Sequence, residues 1–290
     1  MTAAAAPSAG HTRPILEVRG ATKSFGPVMA LRSVDLELGE REIVAVLGDN
    51  GAGKSTLIKA LSGVHRLDAG EIYLDGEQVT LRSPKDARAL GIETLYQDLA
   101  VFDNLSAVAN FFIGQELTRP PQLRRLGFLR ERAMAREWQH HRERLKVGII
   151  DSNAAIGLMS GGQRQAVAVM RTVAFASRVV ILDEPTAALG LRESRQVIDL
   201  VRRLPDAGVS VIVVSHNLEH VMEIADRAIV LRQGRVVGEA APTPENHERL
   251  VALIVGAAHT QAMATSTGRE EPRTREVQPP QPSNPKGEED

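Results

Sequence analysis

The chain has 290 residues, room for one large α/β domain or two small ones, and 43% of them are apolar, enough for a substantial core. A formal net charge of −1 supplies no basic field for nucleic acid, and the absence of cysteine excludes disulfides and thiolate metal sites. No apolar run approaches the roughly 18 residues needed to span a bilayer, and MTAAAAPSAGHTRP lacks the leucine-rich core of a secretory signal, so a cytoplasmic protein is expected, any membrane part lying in another chain.

Residues 1–13 are Ala, Ser, Pro and polar residues and read as a disordered arm. ILEVR at 15–19 and VDLEL at 34–38 alternate apolar and polar residues, as half-exposed antiparallel strands do. IVAVLG at 43–48 is a continuous apolar run ending at glycine, the pattern of a strand buried on both faces. Good helix formers follow it near 54–62. Residues 98–160 carry no buried-strand signature. Periodic apolar residues and dense Arg and Glu predict a helical subdomain there, with one helix from about Leu129 to Val147 and Trp138 midway. Its alternating charges describe a solvated, ion-paired face. VVILD at 179–183 and VIVVS at 211–215 repeat the buried-strand pattern, followed by helical stretches near 192–204 and 218–225. AIVLR, Gln233-Gly234 and RVVG predict a closing hairpin. Buried strands each followed by a helix predict an α/β fold: a doubly wound sheet with an antiparallel β subdomain and an inserted helical subdomain. The folded part is expected over 14–257, and 258–290 reads as a disordered tail.

The chemistry begins at GDNGAGKS, which matches the phosphate-loop pattern G-x-x-x-x-G-K-[ST] with Gly48, Gly53, Lys54 and Ser55, between a buried strand and a helix. Phosphates concentrate negative charge. A loop of Gly48, Asp49, Asn50, Gly51, Ala52 and Gly53 can wrap them with backbone N–H donors, and the following helix, with Thr56 in its first turn, adds a partial positive charge. Lys54 is expected on the β- and γ-phosphates of a bound nucleotide, and the Ser55 hydroxyl on Mg²⁺. Asp183 and Glu184 stand at the end of a buried strand, where such sheets bind ligands. Asp183 would hold Mg²⁺ through water, and Glu184 would act as general base on the attacking water.

GDNGAGKS, Gln97, MSGGQRQ, VVILDEPTAAL and Ser215-His216 together resemble the ATPase subunit of ABC transporters, a phosphate-loop NTPase fold, in that family's order and spacing over about residues 14–257. The resemblance implies that Ser160, Gly161, Gly162 and Gln163 present donors to the γ-phosphate held by a second copy of the chain. It implies that Gln97 touches Mg²⁺ and the attacking water, that His216 orients that water, and that Phe25 stacks on adenine. Met159 replaces the family's usual leucine, a volume-conserving change. Gly190 replaces an aspartate that helps to bridge the two subunits.

The implied protein is an ATP-hydrolysing subunit that closes as a homodimer and powers integral-membrane permease subunits, at the cytoplasmic face of the inner membrane. YQDLAVFDNLSAVANFFIGQE and EPTAALGLRES are similar to ATPases of monosaccharide (ribose, fructose or xylose type) importers, which implies a periplasmic sugar-binding protein as an indirect partner. Two other classes stay open at this point: a soluble ATPase remodelling a non-membrane partner, and a regulatory nucleotide-binding module with little turnover. No nucleic-acid partner is expected.

Overall fold

The computed structural model describes residues 14–119, 127–148, 151–176, 178–187 and 189–256. The expected arm at 1–13 and tail at 258–290 lie outside them, as does Ala188.

The chain opens with two long strands, β1 (Leu16–Phe25) and β2 (Val28–Leu38), joined by a two-residue turn. Both run well beyond the predicted segments, because register shifts interrupt their strict alternation. With β4 (Ala69–Leu74) and β5 (Glu77–Val79) they form an antiparallel sheet in the order β2-β1-β4-β5.

The second sheet is built from β3 (Ile43–Leu47), β6 (Ile92–Leu95), β9 (Val179–Asp183), β10 (Ser210–Val214), β11 (Arg227–Arg232) and β12 (Arg235–Ala240), in the order β12-β11-β3-β10-β9-β6. All its pairings are parallel except β11 with β12. That last pair turns at Gln233-Gly234, both at positive φ (48° and 78°), which suits a tight two-residue hairpin.

The central strands are apolar throughout because both faces are covered. Ala45, Leu182 and Val213 face one core with the helices, whereas Val46, Ile181 and Ile212 face another with the antiparallel sheet. Each fully buried aliphatic side chain is worth about 1.5–3 kcal/mol.

α1 (Lys54–Leu61) and α2 (Pro84–Ala89) lie between strands of the first part of the chain. The expected helical subdomain holds α3 (Ala107–Phe112) and α4 (Glu131–Arg144), where Trp138 is buried edge-on to Phe111 at 5.4 Å. It also holds a short ribbon, β7 (Thr118–Arg119) with β8 (Phe128–Leu129). The predicted helix start at Leu129 is therefore corrected: Leu129 pairs with Thr118, and the helix begins at Glu131. Strands of two residues are too short to imprint a period on the sequence. α5 (Gly161–Phe175), α6 (Leu191–Val201), α7 (Leu218–Ile224) and α8 (His247–Val255) complete the α-helices among the described residues. No helix there is long and apolar enough to cross a membrane.

Candidate active site

The phosphate loop leaves the end of β3 through glycines that no other residue could replace at that spacing. Gly48 has φ 146°, and a Cβ there would stand 2.1 Å from the carbonyl oxygen of Leu231. Gly53 has φ 109°, and its Cβ would stand 2.6 Å from the carbonyl oxygen of Ala30. The loop thus closes tightly against two neighbouring backbones and delivers α1. That helix has no side-chain cap and no acidic residue in its first turn, which leaves its leading N–H groups for an anion. Ala52 is buried beneath the loop, whereas Asp49, Asn50, Gly51 and Ser55 are exposed and Thr56 half-buried. Lys54 is only 8% exposed, and its Nζ donates to the carbonyls of Gly48 at 2.6 Å and Asp49 at 3.0 Å. An ammonium has three donors, so this geometry anchors Lys54 and keeps capacity for a phosphate oxygen.

The acidic pair stands at the C-terminal edge of the same sheet, where β9 runs parallel to β10. Burial, and then the neighbouring Glu184, push the Asp183 carboxyl above its ordinary value, against the pull of Lys54 and Lys59. Glu184 holds a left-handed backbone at φ 51°, unusual for a side chain of its size, and its N–H donates to the Val214 carbonyl at 3.0 Å. The turn aims its carboxylate at His216, with Oε2 2.8 Å from Nδ1. A carboxylate oxygen accepts, so the Nδ1–H tautomer of a neutral imidazole at His216 would donate here and leave Nε2 as an acceptor. Glu184 is largely covered, whereas His216 is mostly exposed, so the pair reaches from the core to the mouth of the cleft.

That cleft has a volume of about 400 Å³ and is lined by Leu47, Gly48, Asp49, Asn50, Gln97, Glu184, Ala187, His216 and Ile254. It therefore unites the loop, the base, the histidine and the glutamine predicted from four separate stretches of sequence. Gln97 lies exposed just beyond β6. The guanidinium of Arg171, on α5, donates to the carbonyls of Leu99 at 3.0 Å and Ala100 at 3.2 Å and so braces the segment after it.

Ser160 caps α5. Its Oγ accepts from the Gln163 N–H at 3.3 Å, and Gln163 Oε1 accepts from the Ser160 N–H at 3.0 Å. Gly161 and Gly162 follow, with no acidic residue in the first turn. Among the described residues that line the cleft, none comes from 160–163.

Phe25 also lies outside the cleft lining. It is 43% exposed on the β1–β2 turn and meets His65 edge-on at 5.1 Å. Asp68 braces that turn: it accepts from Lys23 Nζ at 2.7 Å and from the Ser24 N–H and hydroxyl at 2.7 and 2.8 Å. Sequence reasoning missed Asp68 and Arg171. It also missed His220, whose Nδ1 is 3.1 Å from Thr186 Oγ1. Their partners are distant in sequence, and no local pattern marks them.

Fold and site together define a phosphate-loop ATPase carrying an inserted helical subdomain. The chain belongs to the ABC transporter family, whose family model matches residues 31–187. It is 42% identical over 240 residues to the xylose/arabinose import ATP-binding protein XylG of Sulfolobus acidocaldarius, covering 83% of this chain and 93% of the relative. It is 44% identical over 247 residues to the fructose import ATP-binding protein FrcA of Rhizobium meliloti, covering 84% and 95%. Against the ribose import ATP-binding protein RbsA 1 of Rubrobacter xylanophilus it is 44% identical over 244 residues, but these cover only 47% of that longer protein. The fold matches the crystal structure of a nucleotide-free ATP-binding cassette from an ABC transporter, with a TM-score of 0.73 at 22% identity over 84% of this chain and 98% of that one.

Proposed function

We propose that the chain is the ATP-hydrolysing subunit of a monosaccharide importer and works as a head-to-tail homodimer. One observation carries the reading: Gln97, Glu184 and His216 line one cleft with Gly48 and Asp49, the loop residues whose carbonyls anchor Lys54, while Ser160–Gln163, a second set of anion donors, are not among its lining residues. A second copy related by a two-fold axis supplies the missing half of each site.

ATP would lie with its phosphates on residues 48–56 and its base toward Phe25. The Ser55 hydroxyl, the Asp183 carboxylate and Gln97 offer oxygen donors at the loop, which fits a hard, largely hydrated Mg²⁺. That ion would neutralise charge on the phosphate oxygens during cleavage. Glu184 takes the proton of the attacking water, and His216, hydrogen-bonded to it, fixes the carboxylate and the water. Ser160, Gly161 and Gly162 of the partner bind the γ-phosphate, so its release favours opening. That is a population shift driven by differential affinity, and it moves whatever is attached.

The relatives' printed roles in importing xylose, arabinose and fructose support a monosaccharide as cargo. The resemblance in the sequence motifs further implies integral-membrane permease subunits as direct partners, a periplasmic sugar-binding protein as an indirect one, and a peripheral position at the cytoplasmic face. The folded domain is assigned to 14–257, with flanking segments outside it. The test is ATP hydrolysis by the chain reconstituted with its permease and binding protein, assayed with single sugars. A rate that rises with one of ribose, fructose or xylose and is lost in Lys54→Ala supports the proposal. A rate indifferent to every monosaccharide contradicts it.

A further inference from the structure

α6 begins at Gly190, the residue that brings no carboxylate where the resemblance implies one, and the structure shows what fills its place. A Cβ on Gly190 would stand 2.6 Å from Glu193 Oε2, so a side chain at 190 and the Glu193 carboxylate compete for one space. The stem of the same side chain lies across the SGGQ turn. A Cβ on Gly162 would stand 2.7 Å from Glu193 Cβ and 2.8 Å from Cγ. Glu193 therefore touches both the segment that follows Glu184 and the turn that begins with Ser160.

Glu193 is half-exposed, and among the described residues its carboxylate has neither a hydrogen-bond donor nor an ion-pair partner. Its position in the first turn of α6 lets the helix dipole stabilise the charge without a specific partner. Leu191 beside it is 93% exposed and Leu158, two residues before Ser160, is 84% exposed. Among the described residues, the unpaired carboxylate thus stands in a surface beside two leucines left open to solvent.

We propose that Glu193 is a positioning residue for ATP-driven pairing. It supplies, from one turn into α6, the carboxylate that residue 190 lacks, and its stem seats Gly162. This ties the SGG turn offered to the second copy to the segment leaving Glu184. The inference rests on the head-to-tail reading above and names one residue that reading does not use. Gly190 is glycine, on this account, because Glu193 already occupies its side-chain space.

The experiment measures dimerisation in ATP by sedimentation velocity in a Glu184→Gln parent, with nucleotide affinity and melting temperature measured alongside. Adding Glu193→Ala is expected to weaken dimerisation about tenfold, with ATP affinity of the monomer unchanged within about twofold. Gly190→Asp alone places two carboxylates in one space and is expected to weaken it as well. Gly190→Asp with Glu193→Ala moves the carboxylate back to 190 and is expected to recover most of the loss. Such a rescue does not follow from a role in fold stability alone. Glu193→Gln keeps the stem on Gly162 and is expected to lose about threefold through the missing charge.

Dimerisation unchanged in Glu193→Ala or Glu193→Gln overturns the inference, as does a double variant no better than Glu193→Ala. A parent that stays monomeric in ATP overturns the head-to-tail reading and this inference with it. A parent that pairs while the Glu193 variants pair equally well overturns the inference alone.

Discussion

Two adjacent glycines of the SGGQ turn should respond oppositely to the same added methyl group. Neither has the positive φ that would strain an alanine, so space decides. At Gly161 the new Cβ meets only Leu189 Cδ2 at 3.2 Å, the end of a flexible side chain that can give by a few tenths of an ångström. At Gly162 it meets Glu193 at Cβ, Cγ and Cα, at 2.7, 2.8 and 3.1 Å, where relief requires α6 itself to shift. Alanine in a helix gains roughly 0.5–1 kcal/mol over glycine, whereas overpacking costs roughly 1–3 kcal/mol. Gly161→Ala should therefore be neutral or more stable by up to about 1 kcal/mol, and Gly162→Ala, with the same helix gain, less stable than Gly161→Ala by roughly 1–3 kcal/mol. Urea unfolding of the nucleotide-free protein measures both. If Gly162→Ala proves as stable as Gly161→Ala or more so, the packing of α5 on α6 is not as described and the reasoning fails.

Asp183→Asn should stabilise the nucleotide-free fold while abolishing hydrolysis. Burial and Glu184 hold the Asp183 carboxyl above its ordinary value, so this group favours the folded state most below the ordinary carboxylate range and loses that contribution as pH rises through its folded value. The variant's melting temperature by scanning fluorimetry should exceed the wild type at pH 7.5 and converge with it as pH falls toward 4; a lower value at pH 7.5 counts against the assignment. Asp68→Ala should loosen the Phe25 turn and weaken nucleotide binding about threefold, a modest effect for an exposed network. Hydrogen bonds from Lys23 and Ser24 lower the Asp68 carboxyl to about 2, so its contribution is present above the ordinary carboxylate value and is lost only as pH falls through about 2. Fluorescent-nucleotide titrations from pH 5 to 9 should accordingly show a constant gap between variant and wild type, and a gap that closes within that window refutes the role given to Asp68.

The parts of this protein written plainly in its sequence are those where one short segment carries the whole physical requirement. GDNGAGKS must be glycine-rich because Gly48 and Gly53 press on the carbonyls of Leu231 and Ala30, so the requirement and the pattern coincide. The buried strands were legible for a similar reason: Ile43–Leu47, Val179–Asp183 and Ser210–Val214 are covered on both faces, and an unbroken apolar run is the direct result. Elements whose burial is partial left weaker marks. β4 buries only Ile72 and Leu74, and the β7–β8 ribbon exposes Phe128 at 86%, so neither produced a period to read. The contacts of Arg171 with Leu99 and Ala100, and of Asp68 with Lys23 and Ser24, exist only once the chain has folded. Gly190 was visible as a departure, but its reason lies in Glu193, which only the packing of α6 reveals.

The central claim is that each ATP is gripped by two copies of the chain, and mixed dimers test it most directly. One protomer carries Lys54→Ala, so that it binds no nucleotide of its own, and the other carries Glu184→Gln, so that it binds ATP without turnover. A photoreactive ATP analogue with its label on the γ-phosphate is then irradiated in the mixed dimer. The account predicts label on the Ser160–Gln163 peptide of the Lys54→Ala protomer. Label confined to the protomer that carries Lys54, or no mixed dimer at all, contradicts it.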